Sequence, residues 1–179
     1  MSIAALDKLA LDEVWWLVSP QNPLKAREGM APLAARLASA TAATRHPRLR
    51  ALALEEEFGT RYAVDTARML QRQFPAHRFV WLMGADNLAE LHRWHRWRDL
   101  ARALPIAVFA RPGYSDEGLG APAMAWLRKW RRLSARARDW TRWTLPAIVL
   151  LGIRLDGRSA TAIRARDPDW AARLLERSR

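Results

Sequence analysis

The sequence predicts an α/β protein built on a doubly wound parallel sheet, and three observations predict it. Residues 79–83 read Phe-Val-Trp-Leu-Met, an unbroken run of large apolar side chains that suits a strand buried on both faces. The run ends on Gly84 and passes to Asp86 and Asn87, either of which can accept a bond from the free amides of a following helix. Comparable apolar runs recur at 13–18, 105–110 and 147–155, with helical stretches between them, the alternation that builds βαβ units. The 79–83 strand is taken as the centre of the sheet. Gly84 and Asp86 then lie on its carboxyl edge, where open α/β sheets bind ligands.

The elements follow in order. Ile3, Ala4, Leu6, Leu9 and Ala10 have helical spacing, as in the last turns of a helix. Residues 13–18 are a strand, and two prolines, Pro20 and Pro23, turn the next stretch into a loop. Residues 31–44 are alanine-rich with Pro32 early, chemistry that suits a helix start. Residues 49–54 form a weaker strand, since Ala and Leu also suit helix. Val64, Ala67, Met69, Leu70 and Phe74 give a helix over 64–74. After the central strand and its helix come the strand 105–110 and a Gly- and acid-rich loop at 115–121. A basic helix over 123–138, the strand 147–155, a turn at Asp156-Gly157 and two closing helices complete the chain. No repeat, low-complexity tail or linker divides it, so residues 1–179 are expected to form a single domain.

Composition narrows the function. The 179 residues hold no cysteine, which removes disulfides and thiolate metal sites and fits a cytoplasmic protein. Charge appears from Asp7 onward, too early for a secretory signal, and no run approaches the roughly 18 apolar residues of a membrane span. The net charge of +12 invites a polyanionic partner. Yet Lys8, Lys25 and Lys129 are the only lysines, and an arginine-, alanine- and tryptophan-heavy chain is also what a GC-rich genome writes whatever the function. Phosphorylated small molecules are polyanions too.

The segment 157–164 reads Gly-Arg-Ser-Ala-Thr-Ala-Ile-Arg. A strand, a tight turn, a Ser N-cap, a Thr in the first turn and an Arg one turn on make a compact anion trap. The helix start offers unpaired amides and roughly half a unit of positive charge, and Arg164 can grip phosphate oxygens in a fork. The same pattern also describes an ordinary capped helix with a surface arginine.

Other segments give that spacing meaning. Ser159-x-Thr161-x-Ile163-Arg164, Gly84-Ala85-Asp86, Trp94 with Trp97, Arg111-Pro112-Gly113, Tyr62-x-x-Asp65-Thr66 and Pro23-Leu24-Lys25 occur together. In this the chain resembles the nicotinate-nucleotide adenylyltransferases of the nucleotidyltransferase superfamily, whose motifs these are and whose order they keep from 23 to 164. Arg158 replaces the leading Ile of the closing motif, Leu24 a frequent His, and Ala63 a Thr.

The resemblance implies a Rossmann-like fold and adenylyl transfer from ATP to nicotinate mononucleotide, with Mg²⁺ held mainly by the ATP phosphates. It implies that Ser159, Thr161 and Arg164 take the triphosphate and that Gly84 and Asp86 face the adenosine ribose. For Asp86 a plain helix cap is the other reading. Trp94 is implied to stack on the pyridine ring, with Thr66 beside it, and Lys25 and Arg111 to contact phosphate; either could equally be a solvated loop charge. His92 and His95, three apart on one helix face, suggest a metal only weakly, because a third ligand is missing.

The family also opens with a strand leading to His-x-Gly-His. None of His46, His77, His92 or His95 lies in such a motif. The expectation is therefore an N-terminally truncated form, Met1 being an internal or miscalled start, with open strand edges, poor solubility and impaired activity. Two other readings stand beside this one. The first is a non-catalytic arginine- and tryptophan-rich protein that binds nucleic acid, with the basic 123–138 helix interleaving Trp126, Trp130 and Trp140 among arginines. Against it, an amphipathic basic helix covering a sheet is commoner, and a nucleic-acid partner is not expected. The second is a related nucleotidyltransferase with another phosphorylated acceptor.

Overall fold

The computed structural model describes residues 1–20, 31–110, 120–152 and 170. Their elements run α1 (Ser2–Leu9), β1 (Val14–Leu17), α2 (Leu33–Ala43), β2 (Leu49–Leu52), α3 (Leu54–Glu57), α4 (Ala63–Gln73), β3 (Trp81–Gly84), α5 (Ala85–Glu90), α6 (Trp97–Ala103), β4 (Ile106–Ala110), α7 (Pro122–Leu127), β5 (Arg131–Arg132) and β6 (Ile148–Gly152). Short 3₁₀ segments lie at Leu91–Arg93, Arg128–Trp130 and Ser134–Arg142. Two compact units emerge, one within Met1–Leu11 and Tyr62–Leu155, the other within Asp12–Arg61 and Asp156–Arg179.

In the first unit the strands pair in the order β3-β4-β6-β5, all parallel. Ile106, Val108 and Ile148 share one face of the sheet by the two-residue period of a strand. They join one apolar cluster with Val64 and Ala67 of α4, Ala85 and Leu88 of α5, Trp97 and Leu100 of α6, and Met124 and Leu127 of α7. The alternate residues Ala107, Phe109, Val149 and Leu151 are buried as well, so both faces of the sheet are covered. α1 packs beside the 3₁₀ segment Ser134–Arg142. There the Trp140 indole N–H donates to the Leu9 carbonyl at 2.9 Å, and Arg138 donates to that of Asp7 at 3.2 Å.

α4 and α6 lie side by side and are joined along their length. Gln71 donates to the Ala103 carbonyl at 3.1 Å, and Arg68 pairs with Asp99 at 3.8 Å. Asp99 also receives Arg96 at 2.7 Å and Arg102 at 3.1 Å. The hydrogen bond from Arg96, foremost, and the charges of Arg96 and Arg68 hold the Asp99 carboxyl below the usual aspartate range, against a smaller desolvation effect. A carboxylate with a lowered folded pKa stabilises the fold above its ordinary pKa of about 3.9, and that contribution fades as pH falls through the lowered value. Asp99→Asn is thus expected to flatten the acid limb of the stability curve below about pH 4 while leaving a small loss at neutral pH. Thermal melts of the two proteins from pH 7 to pH 2 check it; parallel curves would count against the ion cluster.

In the second unit β1 pairs in parallel with β2, Val14 opposite Leu49 through Leu17 opposite Leu52. The ladder extends at both ends, from the Val14 amide to the Arg48 carbonyl and from the Val18 amide to that of Leu52, each 2.8 Å. Arg36 on α2 fastens the end of β1. Its guanidinium donates to the carbonyls of Ser19 at 2.6 Å, Pro20 at 3.0 Å and Ala31 at 2.9 Å. A lysine cannot make this three-way fork. Arg36→Ala is expected to cost about 1–3 kcal/mol of this unit's stability, and Arg36→Lys nearly as much. Urea titration decides it, and a loss confined to measurement error would remove the role given to Arg36.

Several expectations are corrected. The 79–83 strand is not the centre of its sheet among the described residues: β3 stands at one end of the order, and β4 and β6 are flanked on both sides. It starts at Trp81, whose amide is taken by the Pro105 carbonyl at 2.8 Å, and only Met83 in it is fully buried. The single basic helix over 123–138 does not form. α7 stops at Leu127, and Arg131 and Arg132 leave the helical path to pair with Ile148 and Val149. Sheet pairing there overrides helix propensity. His92 and His95 do not share a helix face, since the 3₁₀ turn ends at Arg93 and Trp94 is extended. The 49–54 strand ends at Leu52, and α3 follows from Leu54. The Asp156-Gly157 turn and the two closing helices lie outside the described residues. No helix among the described residues is long and apolar enough to cross a membrane.

Candidate functional site

The carboxyl end of β3 turns directly into α5. Gly84 is the residue before the first helical turn, and Asp86 lies within that turn with its side chain exposed. A Cβ built at residue 84 would run into the Asp86 Oδ1 atom. The absence of a side chain at 84 is therefore what lets the carboxylate fold back over the end of the strand, and this is the physical content of the Gly-x-Asp spacing. Asp86 is not the cap residue of α5; Gly84 occupies that position and α5 has no side-chain cap bond.

Gly84→Ala is expected to push the Asp86 carboxylate aside. If Asp86 faces the ribose, Gly84→Ala and Asp86→Ala each weaken ATP binding by about tenfold, and the double variant is no worse than either. Additive losses in this cycle would show that residue 84 acts by another route.

The start of α4 supplies the second wall. Tyr62 precedes the helix in extended backbone, and Thr66, 0% exposed, turns its hydroxyl inward to donate to the Tyr62 carbonyl at 3.2 Å. That bond fixes the turn carrying Tyr62, so Thr66 is placed as a brace beneath the surface rather than as a wall of it.

The third wall is the turn between the Leu91–Arg93 segment and α6. Trp94 is half-buried and packs against the same apolar cluster that holds Met83 and Ala85, the neighbours of Gly84. Its amide bonds to the Leu91 carbonyl at 3.0 Å, and Trp97, 7% exposed, anchors the start of α6 in that cluster. Arg96 between them has φ +49°, a left-handed backbone that a residue with a Cβ adopts at some cost. The His95 ring lies tilted against the Tyr62 ring, with centroids 4.2 Å apart and planes 31° apart. The first unit thus brings Tyr62 and Trp94 onto the apolar cluster that holds Met83 and Ala85, the neighbours of Gly84. Sequence reasoning weighs His95 only as half of a metal pair and so misses its ring contact; its place beside Trp94 is the available signal.

Chemically, a half-buried indole can take a flat ring, and a carboxylate over a strand end can accept from a pair of hydroxyls. Lys25, Arg111, Ser159, Thr161 and Arg164 lie outside the described residues. Among the described residues no group of three or more His, Asp or Glu side chains is placed to hold a metal ion.

Comparison with known proteins points the same way. The cytidylyltransferase-like family matches residues 3–166. The chain is 55% identical over 173 residues, 97% of its length and 79% of the relative's, to an Erythrobacter litoralis protein named probable nicotinate-nucleotide adenylyltransferase. Proteins of the same name from Parvibaculum lavamentivorans and Cereibacter sphaeroides are each 47% identical, over 94% and 90% of this chain and 83% and 85% of theirs. These likenesses do not favour a non-catalytic nucleic-acid-binding protein. With a match over that span and relatives so fully covered, the chain belongs to the cytidylyltransferase-like family, among the nicotinate-nucleotide adenylyltransferases.

Proposed function

We propose that the protein transfers the adenylyl group of ATP to nicotinate mononucleotide, giving nicotinate adenine dinucleotide and pyrophosphate, a step of NAD biosynthesis. The observation that carries the proposal is the contact of His95, next to Trp94, with Tyr62 on the cluster that also holds Met83 and Ala85, within a chain of this family. A phosphate oxygen of the mononucleotide attacks the α-phosphorus of ATP, the bond from that phosphorus to the bridging oxygen breaks, and pyrophosphate leaves. No covalent intermediate on the protein is needed, because such transfers depend on alignment and on neutralising charge.

Each residue has a task in this reading. Trp94 stacks on the pyridine ring, with Thr66 bracing the turn beside it. Gly84 and Asp86 hold the adenosine ribose. Ser159, Thr161 and Arg164 take the triphosphate, Arg164 also countering charge that builds on the leaving group, and Lys25 and Arg111 contact phosphate. The divalent ion enters with its substrate as Mg²⁺–ATP, bound by phosphate oxygens and water. A chain without cysteine fits a cytoplasmic setting for this reaction.

Incubation of the protein with Mg²⁺–ATP and nicotinate mononucleotide tests the proposal, following pyrophosphate and dinucleotide together. Formation of both in equal amounts is expected, at a low rate because the sequence carries no His-x-Gly-His. Turnover of nicotinamide mononucleotide or another phosphorylated acceptor in preference would reassign the substrate. The absence of turnover and of saturable nicotinate mononucleotide binding would end the proposal.

A further inference from the structure

The ring of His95 has no task in the chemistry above, yet it is held in a defined place. It lies tilted against Tyr62, and Tyr62 is itself fixed from below by the Thr66 hydroxyl. On its other side His95 is bonded directly to Trp94 and to Arg96, the residue with left-handed backbone. Arg96 is pinned in turn by its fork to Asp99, with Nε at 2.9 Å and the terminal nitrogen at 2.7 Å from Oδ2. The turn 94–96 has no long helix of its own to stiffen it: the 3₁₀ segment before it spans only Leu91–Arg93, and Trp94 is extended. Besides the packing of Trp94 on the apolar cluster and its backbone bonds to Leu91 and Trp97, two side-chain contacts hold it, one at each end. Asp99 serves the end nearer α6, and the His95–Tyr62 contact serves the end nearer α4.

We propose that His95 is a positioning residue whose ring clamps the Trp94 turn to the start of α4 and so sets the width of the slot that receives the pyridine ring. Its role is indirect; it holds Trp94 at a fixed distance from the Tyr62 turn, and Trp94 touches the ligand. The deduction rests on the reading of Trp94 as the pyridine wall. It assigns to a histidine a function that needs its flat ring and not its basicity, because what meets Tyr62 is a ring face. A phenylalanine at this position should therefore serve, and an alanine should not.

The experiment uses the full chain as wild type, His95→Ala and His95→Phe, with two readouts. The first is amide hydrogen exchange over residues 92–97, which needs no ligand. Exchange is expected to quicken about tenfold in His95→Ala and to return near the wild-type rate in His95→Phe, the size of effect that one ring pair supports. The second is the Kd of nicotinate mononucleotide and of ATP by calorimetry. The mononucleotide should bind about tenfold more weakly to His95→Ala and within about twofold of wild type to His95→Phe, while ATP binding stays unchanged in all three. Unchanged exchange in His95→Ala overturns the clamp whatever the ligands do. Equal weakening of both ligands, or failure of phenylalanine to restore either readout, overturns it as well. If wild type itself does not bind the mononucleotide, the reading of the Trp94 site fails, and the exchange comparison still decides the clamp.

Discussion

Truncating Phe109 to alanine is expected to remove about 3–5 kcal/mol of folding free energy, the largest single loss among the substitutions proposed for this chain. Phe109 is 1% exposed and lies on β4, a strand flanked on both sides, opposite Gly84 in β3 and Leu151 in β6. Its neighbours are pinned by parallel ladders, so they cannot close over the space left behind, and the cost approaches the upper end of large-to-small substitutions. Phe109→Leu keeps most of the volume and should lose about 1–2 kcal/mol. Urea unfolding of the three proteins measures both values. A Phe109→Ala loss below about 1 kcal/mol would mean that the end of β4 collapses freely around the missing ring.

Trp94→Ala is the substitution expected to affect ligand binding most. Loss of a stacking face costs about 1–3 kcal/mol per flat ring, a tenfold to hundredfold rise in the Kd of nicotinate mononucleotide. ATP affinity should hold, because the adenosine side of the site is assigned to Gly84 and Asp86. Trp94→Phe, with a smaller ring, should fall between. Because Trp94 is half-buried, the alanine variant also loses some stability, and its melting temperature must be recorded alongside. If the mononucleotide binds Trp94→Ala as it binds wild type, the indole is packing and not a wall of the site. Ten tryptophans in one chain make that outcome a real test.

How much of this is legible in the sequence differs by element. α4 is legible because Val64, Ala67 and Leu70 repeat at helical spacing and are all buried. β4 and β6 are legible because their runs have no polar interruption, as expected of strands buried on both faces. The stretch 123–138 misleads because Arg and Leu suit a helix locally. The force that breaks it, pairing of Arg131 and Arg132 with the start of β6, comes from a strand more than a dozen residues later. The edge position of β3 is hidden for a related reason: an apolar run states that a strand is covered, not which strands lie beside it.

At the candidate site, Gly84 and Asp86 are legible from the strand–glycine–helix pattern, whereas Trp94 is singled out only by the family resemblance. The contact of His95 with Tyr62 is not legible, because it depends on how α4 meets the turn before α6.

The union of α4 with α6 carries a consequence for substrate choice. Contacts occur at the start, middle and far end of the pair: His95 with Tyr62, Asp99 with Arg68, and Ala103 with Gln71. Two rods tied at three points tilt together, so the gap between their leading ends does not open by hinging. If that gap receives the acceptor's ring, as proposed, a variant that takes a bulkier base is expected to arise from smaller side chains at the gap rather than from a looser joint.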